Sequence, residues 1–290
     1  MIPPVKELLG ILYEEQRCIQ YLIEKGVLLS PLQCEQCGGE MRQASKILFR
    51  CRKKSCQAGK SLLSNSFFAG SRLRCNEILH IGYLWLCKVP SASMQIITGH
   101  STHTISDFRR FYMQLVAETL DDEDMTIGGE GIVVQIDETK LGKRKYHRGH
   151  RVDGVWVLVG VEKTEQRRVF VESVQSRDAE TLREVISRHV APGSIIHTDM
   201  WRGYLGLESL GYEHQTVNHS ENFRDPETGV NTNTVEGTNN ALKISVPSRN
   251  RTTDFIDEHL TTFIWRRKNS HELWIAFLRA LRDVGYPEND

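Results

Sequence analysis

Three acidic residues stand where a metal-dependent reaction would need them. The run Ile132-Val133-Val134-Gln135-Ile136-Asp137-Glu138 is apolar and β-branched and ends in two carboxylates. It reads as a buried strand with Asp137 at its carboxyl end. The run Ser194-Ile195-Ile196-His197-Thr198-Asp199 repeats the pattern, and Glu236 follows on a stretch with helical character. Two acids at strand ends and one on a helix can cage divalent metal. A pair of ions about 4 Å apart would activate an attacking oxygen and take charge on the leaving oxygen of a phosphodiester. Such ions want hard oxygen ligands, with Mg2+ or Mn2+ the natural choice. Asp137 would bridge the pair, and Asp199 and Glu236 would each complete one side. A lone acid past a strand more often caps a helix or sits in a turn; the repeated pattern is what favours a site. Glu138 is the rival of Asp137, but strand alternation turns it to the other face. His197 and His219 are candidate substrate contacts, although single histidines usually serve structure.

A second chemical cluster lies nearer the start. Cys34-Glu35-Gln36-Cys37 and Cys51-Arg52-Lys53-Lys54-Ser55-Cys56 form C-x2-C and C-x4-C knuckles separated by a hairpin length. This spacing suits four thiolates around structural Zn2+, which would fold a mini-domain too small to have its own core. Cys18, Cys75 and Cys87 fall in or beside apolar helical patterns and read as core residues. The chain carries 37 Lys and Arg against 37 Asp and Glu, so it is not a uniformly basic nucleic-acid binder. The charge is segregated, however. Between residues 41 and 115 the only acids are Glu77 and Asp107, against twelve Lys and Arg, and a local cationic face of this kind suits phosphate. No apolar run reaches the ~18 residues of a membrane span, and the start has no signal pattern. The expected location is intracellular: the nucleus in a eukaryote, otherwise the cytoplasm.

The elements that must position these residues follow from periodicity. Residues 1–30 predict an amphipathic opening helix over 5–25, and 31–66 the zinc ribbon. Residues 70–120 predict a helix over 76–88 with Asn76 as N-cap, a short helix from Ala92 to Thr98, a turn at Gly99, and a longer helix from Ser101 or Thr102. That is the helix-turn-helix pattern, and its second helix would offer His103, Thr104, Arg109 and Arg110 to DNA. The acidic stretch 121–131 reads as a linker. Residues 132–290 form the catalytic region. Strands are expected at 132–137, 155–161 and 168–173, then a helix over 179–190 capped by Asp178, then strands at 194–198 and 212–217. Lys140 to Arg151 is a basic loop, and Asn218 to Asn233 a long polar one. Helices over 234–244, 253–267 and 271–284 close the chain. The order of strands and helices suggests an α/β, ribonuclease-H-like catalytic domain with a mixed sheet, although order alone permits other α/β folds.

Several long motifs resemble one family. The run Ile136-Asp137-Glu138-Thr139-Lys140-Leu141-Gly142-Lys143-Arg144-Lys145-Tyr146-His147-Arg148-Gly149-His150-Arg151 is similar to the signature of Merlin-type DNA transposases and their bacterial insertion-sequence relatives. So are His197-Thr198-Asp199-Met200-Trp201 with Tyr204, Val217-Asn218-His219-Ser220, Asp225-Pro226-Glu227-Thr228-Gly229 and Phe263-Ile264-Trp265-Arg266-Arg267. The resemblance implies a DDE transposase whose catalytic acids fall on Asp137, Asp199 and Glu236. It implies excision and strand transfer using Mg2+ or Mn2+, and recognition of the terminal inverted repeats of an element. The partner is double-stranded DNA, held at phosphates by Lys143, Arg144, Lys145, Arg148 and Lys243. Joining two DNA ends implies a homodimer or larger assembly. One departure stands out: the family's bulky aromatic shortly after the third acid is missing from Glu236-Gly237-Thr238-Asn239-Asn240, which leaves Asn233 as an alternative ligand. A domesticated, non-catalytic DNA-binding protein and a plain nuclease are the rival readings.

Overall fold

The computed structural model describes residues 1–30, 32–142, 154–218, 225–226 and 228–285. In chain order its helices are α1 (Val5–Tyr13), α2 (Glu15–Glu24), α3 (Cys75–Leu86), α4 (Ser91–Thr98), α5 (Thr102–Ala117), α6 (Asp122–Met125), α7 (Ala179–His189), α8 (Asn233–Ser245), α9 (Ile256–Lys268) and α10 (Leu273–Asp283). The strands are β1 (Met41–Gln43), β2 (Leu48–Cys51), β3 (Gly59–Ser61), β4 (Ile127–Gly128), β5 (Val133–Leu141), β6 (Val155–Glu162), β7 (Val169–Val174), β8 (Val190–Ala191), β9 (Ile195–Asp199) and β10 (Glu213–Val217). Among the described residues no helix is long and apolar enough to cross a membrane. The chain divides into two compact units, one of Met1–Thr119 with Asn269–Asp290 and one of Leu120–Lys268.

In the first unit the opening segment is two helices rather than one. Glu14 leaves the helical region at φ −117°, ψ 111° and breaks the run, while Leu8, Leu12, Ile19 and Leu22 stay buried. Asn76 is not the cap of α3. It lies inside the helix, buried, with its Nδ2 donating to the Leu12 carbonyl at 3.2 Å; the Arg74 amide at the helix start donates to Glu77 Oε2. Helices α4 and α5 meet at Gly99, whose left-handed backbone (φ 73°) makes the turn without the Cβ penalty another residue would meet. Ser101 caps α5 by accepting from the Thr104 amide. Helix α10, grouped by sequence order with the catalytic region, belongs to this unit: Phe277 packs on Tyr112 and Trp85, and Trp274 on Tyr83. Strands β1, β2 and β3 make a small antiparallel sheet under the four cysteines.

The second unit is a mixed α/β body. Its five-stranded sheet has the order β10-β9-β5-β6-β7. The pairs β5–β6 and β6–β7 are antiparallel, and β5–β9 and β9–β10 are parallel. Alternation divides the side chains between two cores. Val134, Ile136, Leu158, Phe170 and Ile196 pack with Leu182 and Ile186 of α7, whereas Val157, Val159, Val161 and Val171 pack with Val235 and Leu242 of α8 and Ile264 of α9. The sheet is therefore covered on both faces, as its near-continuous apolar strands require. Asp178 caps α7 by accepting from the Thr181 amide at 2.9 Å, as its position predicts. The stretch 121–131, read as a linker, holds α6 and β4; β4 pairs in parallel with β8, and Ile127 is fully buried.

Candidate active site

Strand β5 is longer than its sequence suggests, and this changes the setting of Asp137. Its antiparallel pairing with β6 continues to Leu141↔Val155, so Asp137 lies mid-strand opposite Val159 rather than at the carboxyl end. Its parallel pairing with β9 ends earlier, at Gln135↔His197. Two residues further along both strands, the same register brings Asp137 level with Asp199, which does end β9. Residues 135 and 137 on β5, and 197 and 199 on β9, share one face by alternation. It is the face that α8 covers.

Helix α8 is fastened to that face through side chains. Gln135 is fully buried, and its Oε1 accepts from the backbone amides of Thr234 at 2.9 Å and Val235 at 3.2 Å. These are first-turn donors with no partner inside the helix. No N-cap side chain serves the helix start, so an amide from the sheet does the work of a cap. One turn later, Asn239 Nδ2 donates to Asp137 Oδ2 at 2.8 Å, while its buried Oδ1 has no partner. Glu236 lies between these two anchors, exposed, with Oε1 accepting from the Thr232 hydroxyl at 3.0 Å. Gly237 does not break the helix, and the space where its side chain would project is open.

The electrostatics reflect the clustering. Burial, followed by the charges of Glu138 and Asp199 and then Glu236, raises the Asp137 carboxyl to about 7. Like charges that stay this close in a partly desolvated site oppose ionisation, and a cation would relieve that opposition. The three carboxylates stay more open than a closed metal cage. Among the described residues, only the cysteine set has three or more ligand atoms all within 4.8 Å of one another. The oxygen-only donor set, with Asp137 strongly perturbed, fits Mg2+ or Mn2+. Glu138 is excluded as a ligand by its direction. It points to the α7 face, where it accepts from Tyr204 Oη at 2.6 Å and lies 3.9 Å from Arg177.

The cysteines fulfil their spacing. Cys34, Cys37, Cys51 and Cys56 converge, with Cys34 Sγ 3.6 Å from Cys56 Sγ and Cys37 Sγ 3.5 Å from Cys51 Sγ. Those separations are far too long for a disulfide, and close to the about 3.8 Å edge of a tetrahedron with metal–sulfur bonds of about 2.3 Å. Gly38, at φ 64°, turns the first knuckle. The Gly39 amide, and after it the Cys51 thiol, lower Cys37 to about 7 while Cys51 itself is raised to about 11, so Cys37 is the readier thiolate of the two. The set can hold Zn2+.

The expected DNA contacts are divided. On α5, His103 and Arg110 are exposed on one face, with His103 Nδ1 2.6 Å from Asp107. Thr104 is half-buried, its hydroxyl 3.0 Å from that of Ser101, and Arg109 turns to α4, where it donates to Ser91 Oγ. Lys243 is half-buried on α8, two turns beyond Glu236. Lys143, Arg144, Lys145 and Arg148, like His219, lie outside the described residues. Gln135 and Asn239 were missed on sequence. The one available signal was an amide interrupting the β-branched run two residues before Asp137, on the same strand face.

Residues 126–267 match the ISXO2-like transposase domain, a DDE transposase family. Among solved structures, that of a pre-cleavage Mos1 transpososome is similar at 9% identity over 76% of this chain and 82% of that chain, with a TM-score of 0.22, too loose a superposition to bear on the fold. No curated protein matches the chain.

Proposed function

We propose that this chain, whose residues 126–267 match the ISXO2-like transposase domain, excises and joins DNA at the cluster of Asp137, Asp199 and Glu236. The observation that carries the reading is the crowding of Asp137. Burial first, then the charges of Glu138, Asp199 and Glu236, oppose its ionisation and raise it to about 7. The strand order, with the first three strands antiparallel, the fourth added in parallel beside the first and the fifth in parallel beside the fourth, supports a ribonuclease-H-like assignment.

Bound Mg2+ or Mn2+ at these acids would supply an activated water, and later an activated 3′ hydroxyl, and would neutralise the leaving oxygen. The chain's own residues do the positioning. Gln135 holds the start of α8, which presents Glu236 to the strand acids. Asn239 holds one oxygen of Asp137. The Trp201 amide donates to Asp199 Oδ1 at 2.9 Å and orients it. Lys143, Arg144, Lys145, Arg148 and Lys243 are proposed to hold DNA phosphates.

In the same reading the element is Merlin-type, and the first unit reads its terminal inverted repeats. The zinc-bound ribbon and the α4–Gly99–α5 pair, acting as a helix-turn-helix, present His103 and Arg110. Two copies join two ends, and the protein works in the nucleus if the host is eukaryotic, otherwise in the cytoplasm. Incubating the protein with linear DNA bearing the ends of the element that encodes it, in Mg2+, tests the proposal: nicked and target-joined products are expected. DNA bound but left intact, with Asp137→Ala indistinguishable from the native chain, would leave only a DNA-binding protein.

A further inference from the structure

In the second unit, a pocket of about 360 Å³ is lined by Asn233, Thr234, Gly237 and Thr238 of α8, by Arg267 near the end of α9, and by Arg167 in the β6–β7 turn. Arg267 is half-buried and Arg167 exposed. Among the described residues neither guanidinium donates a hydrogen bond or meets a carboxylate. Their chain neighbours differ: Arg168 lies 3.8 Å from Glu162, and Lys268 pairs with Asp124. Burial, and then the charge of Arg167, lowers Arg267 from its ordinary value, so the two cations repel across the pocket. Arg167 sits there at φ 48°, a backbone region that a side chain rarely adopts.

An arginine held half out of water, beside a second cation and with no acceptor among the described residues, is unfavourable until an anion arrives. The start of α8 adds the positive end of its dipole. Gly237 leaves the pocket floor open, with nothing within 4 Å of where a Cβ would lie. Two arginines lining one open pocket suit a tetrahedral oxyanion.

We propose that Arg167 and Arg267 together grip one backbone phosphate of the DNA strand that passes Glu236. This rests on the transposase reading above, and Asn233 and Gly237 flank Glu236 on α8, so the gripped phosphate lies beside the third acid. The pocket opens to the surface, as a continuous strand requires.

The test is duplex-DNA affinity measured across a salt series with Ca2+ replacing Mg2+, so that binding is read without cleavage. R167A/R267A is expected to bind several-fold more weakly at low salt, with the slope of log K against log salt reduced by about 0.9, the value for one phosphate. Each single alanine variant retains one cation and changes the slope less. R267K keeps the slope but binds more weakly, because it loses the planar fork. An unchanged slope and affinity in the double variant overturns the proposal. Inorganic phosphate supplies the other arm. If it raises the melting temperature of the native chain but not of the double variant, while the DNA slope is unaltered, the pocket takes a free anion and the proposal also falls. R267Q, which removes an uncompensated charge, is expected to melt no lower than the native chain and serves as the folding check. A chain that never cleaves DNA still reports on this pocket, and loss of the pocket leaves the cleavage test standing.

Discussion

Replacing Asp137 by asparagine removes the charge at the centre of the cluster while keeping its shape. The amide oxygen so introduced can accept from Asn239 Nδ2, as the Asp137 carboxylate does now at 2.8 Å. In the metal-free protein the native carboxyl is raised from 3.8 to about 7. A group raised on folding contributes its full stability below its unfolded value and loses it as pH climbs through its folded value. At roughly 1.4 kcal/mol per pH unit the complete loss is about 4 kcal/mol, with a bit over half of it falling between about pH 5 and pH 8.5. Asp137 keeps some contact with solvent, which screens the interaction, so about 1–3 kcal/mol is the expected size over that interval. For a unit the size of Leu120–Lys268 this is about 2–4 °C per kcal/mol. Thermal melts in chelator at both pH values therefore form the assay. The native chain should lose several degrees more than Asp137→Asn on going to the alkaline buffer, and the variant should be the more stable of the two there. Adding Mn2+ at the alkaline pH should reverse the ranking, since only the native chain gains a ligand. Equal pH responses for the two proteins would mean that neither burial nor the neighbouring charges oppose ionisation of Asp137, and the proposed metal site would lose that support.

Gln135→Ala should destabilise the second unit by about 1–3 kcal/mol, the cost of leaving buried amides unpaired, and should weaken the Mn2+ response because α8 loosens; chemical denaturation and metal titration read both effects. Glu236→Gln, at an exposed position, should leave the melting temperature within about 1 °C while abolishing cleavage, since surface substitutions usually cost under about 0.5 kcal/mol. Removing zinc with a strong chelator should unfold the β1–β2–β3 sheet and release one metal per chain by colorimetric assay, Cys51→Ser should unfold the same sheet, and cleavage of a pre-nicked substrate should persist in both once the chelator is exchanged for Mg2+. Gly160→Ala would place a Cβ 2.1 Å from the Phe170 ring and should cost about 1–3 kcal/mol by overpacking, seen as a lower denaturation midpoint.

Much of this architecture was legible because local rules and the final packing agree. The β-branched runs became β5, β6, β7 and β9, Asp178 and Ser101 cap the helices they precede, and the cysteine spacing delivered four converging sulfurs. Alternation alone separated Asp137 from Glu138 and gave them opposite faces with opposite fates. What was not legible depends on partners distant in sequence. The length of β5 is set by β6, which pairs on past the point where β9 ends, so an acid read as terminal became central. The break at Glu14 and the burial of Asn76 are likewise decided across the unit, since Asn76 is held by the Leu12 carbonyl, a residue of another helix.

The same distinction explains why the strand acids stand out in the sequence while the contacts that hold α8 beside them do not. An aspartate ending an apolar run announces itself by contrast with its neighbours. The amide of Gln135 gains meaning only once the start of α8, about a hundred residues later, is laid across it. A buried Gln in a central strand is costly unless every polar atom finds a partner. Here its Oε1 takes two helix amides and its Nε2 donates to Asn231 Oδ1 at 3.2 Å. A polar residue placed at a loss in the sheet is thereby repaid in full by the helix it orders. Any residue that cannot accept from those amides, however well it suits a β-strand, should therefore leave Asp137 and Asp199 in register and Glu236 adrift.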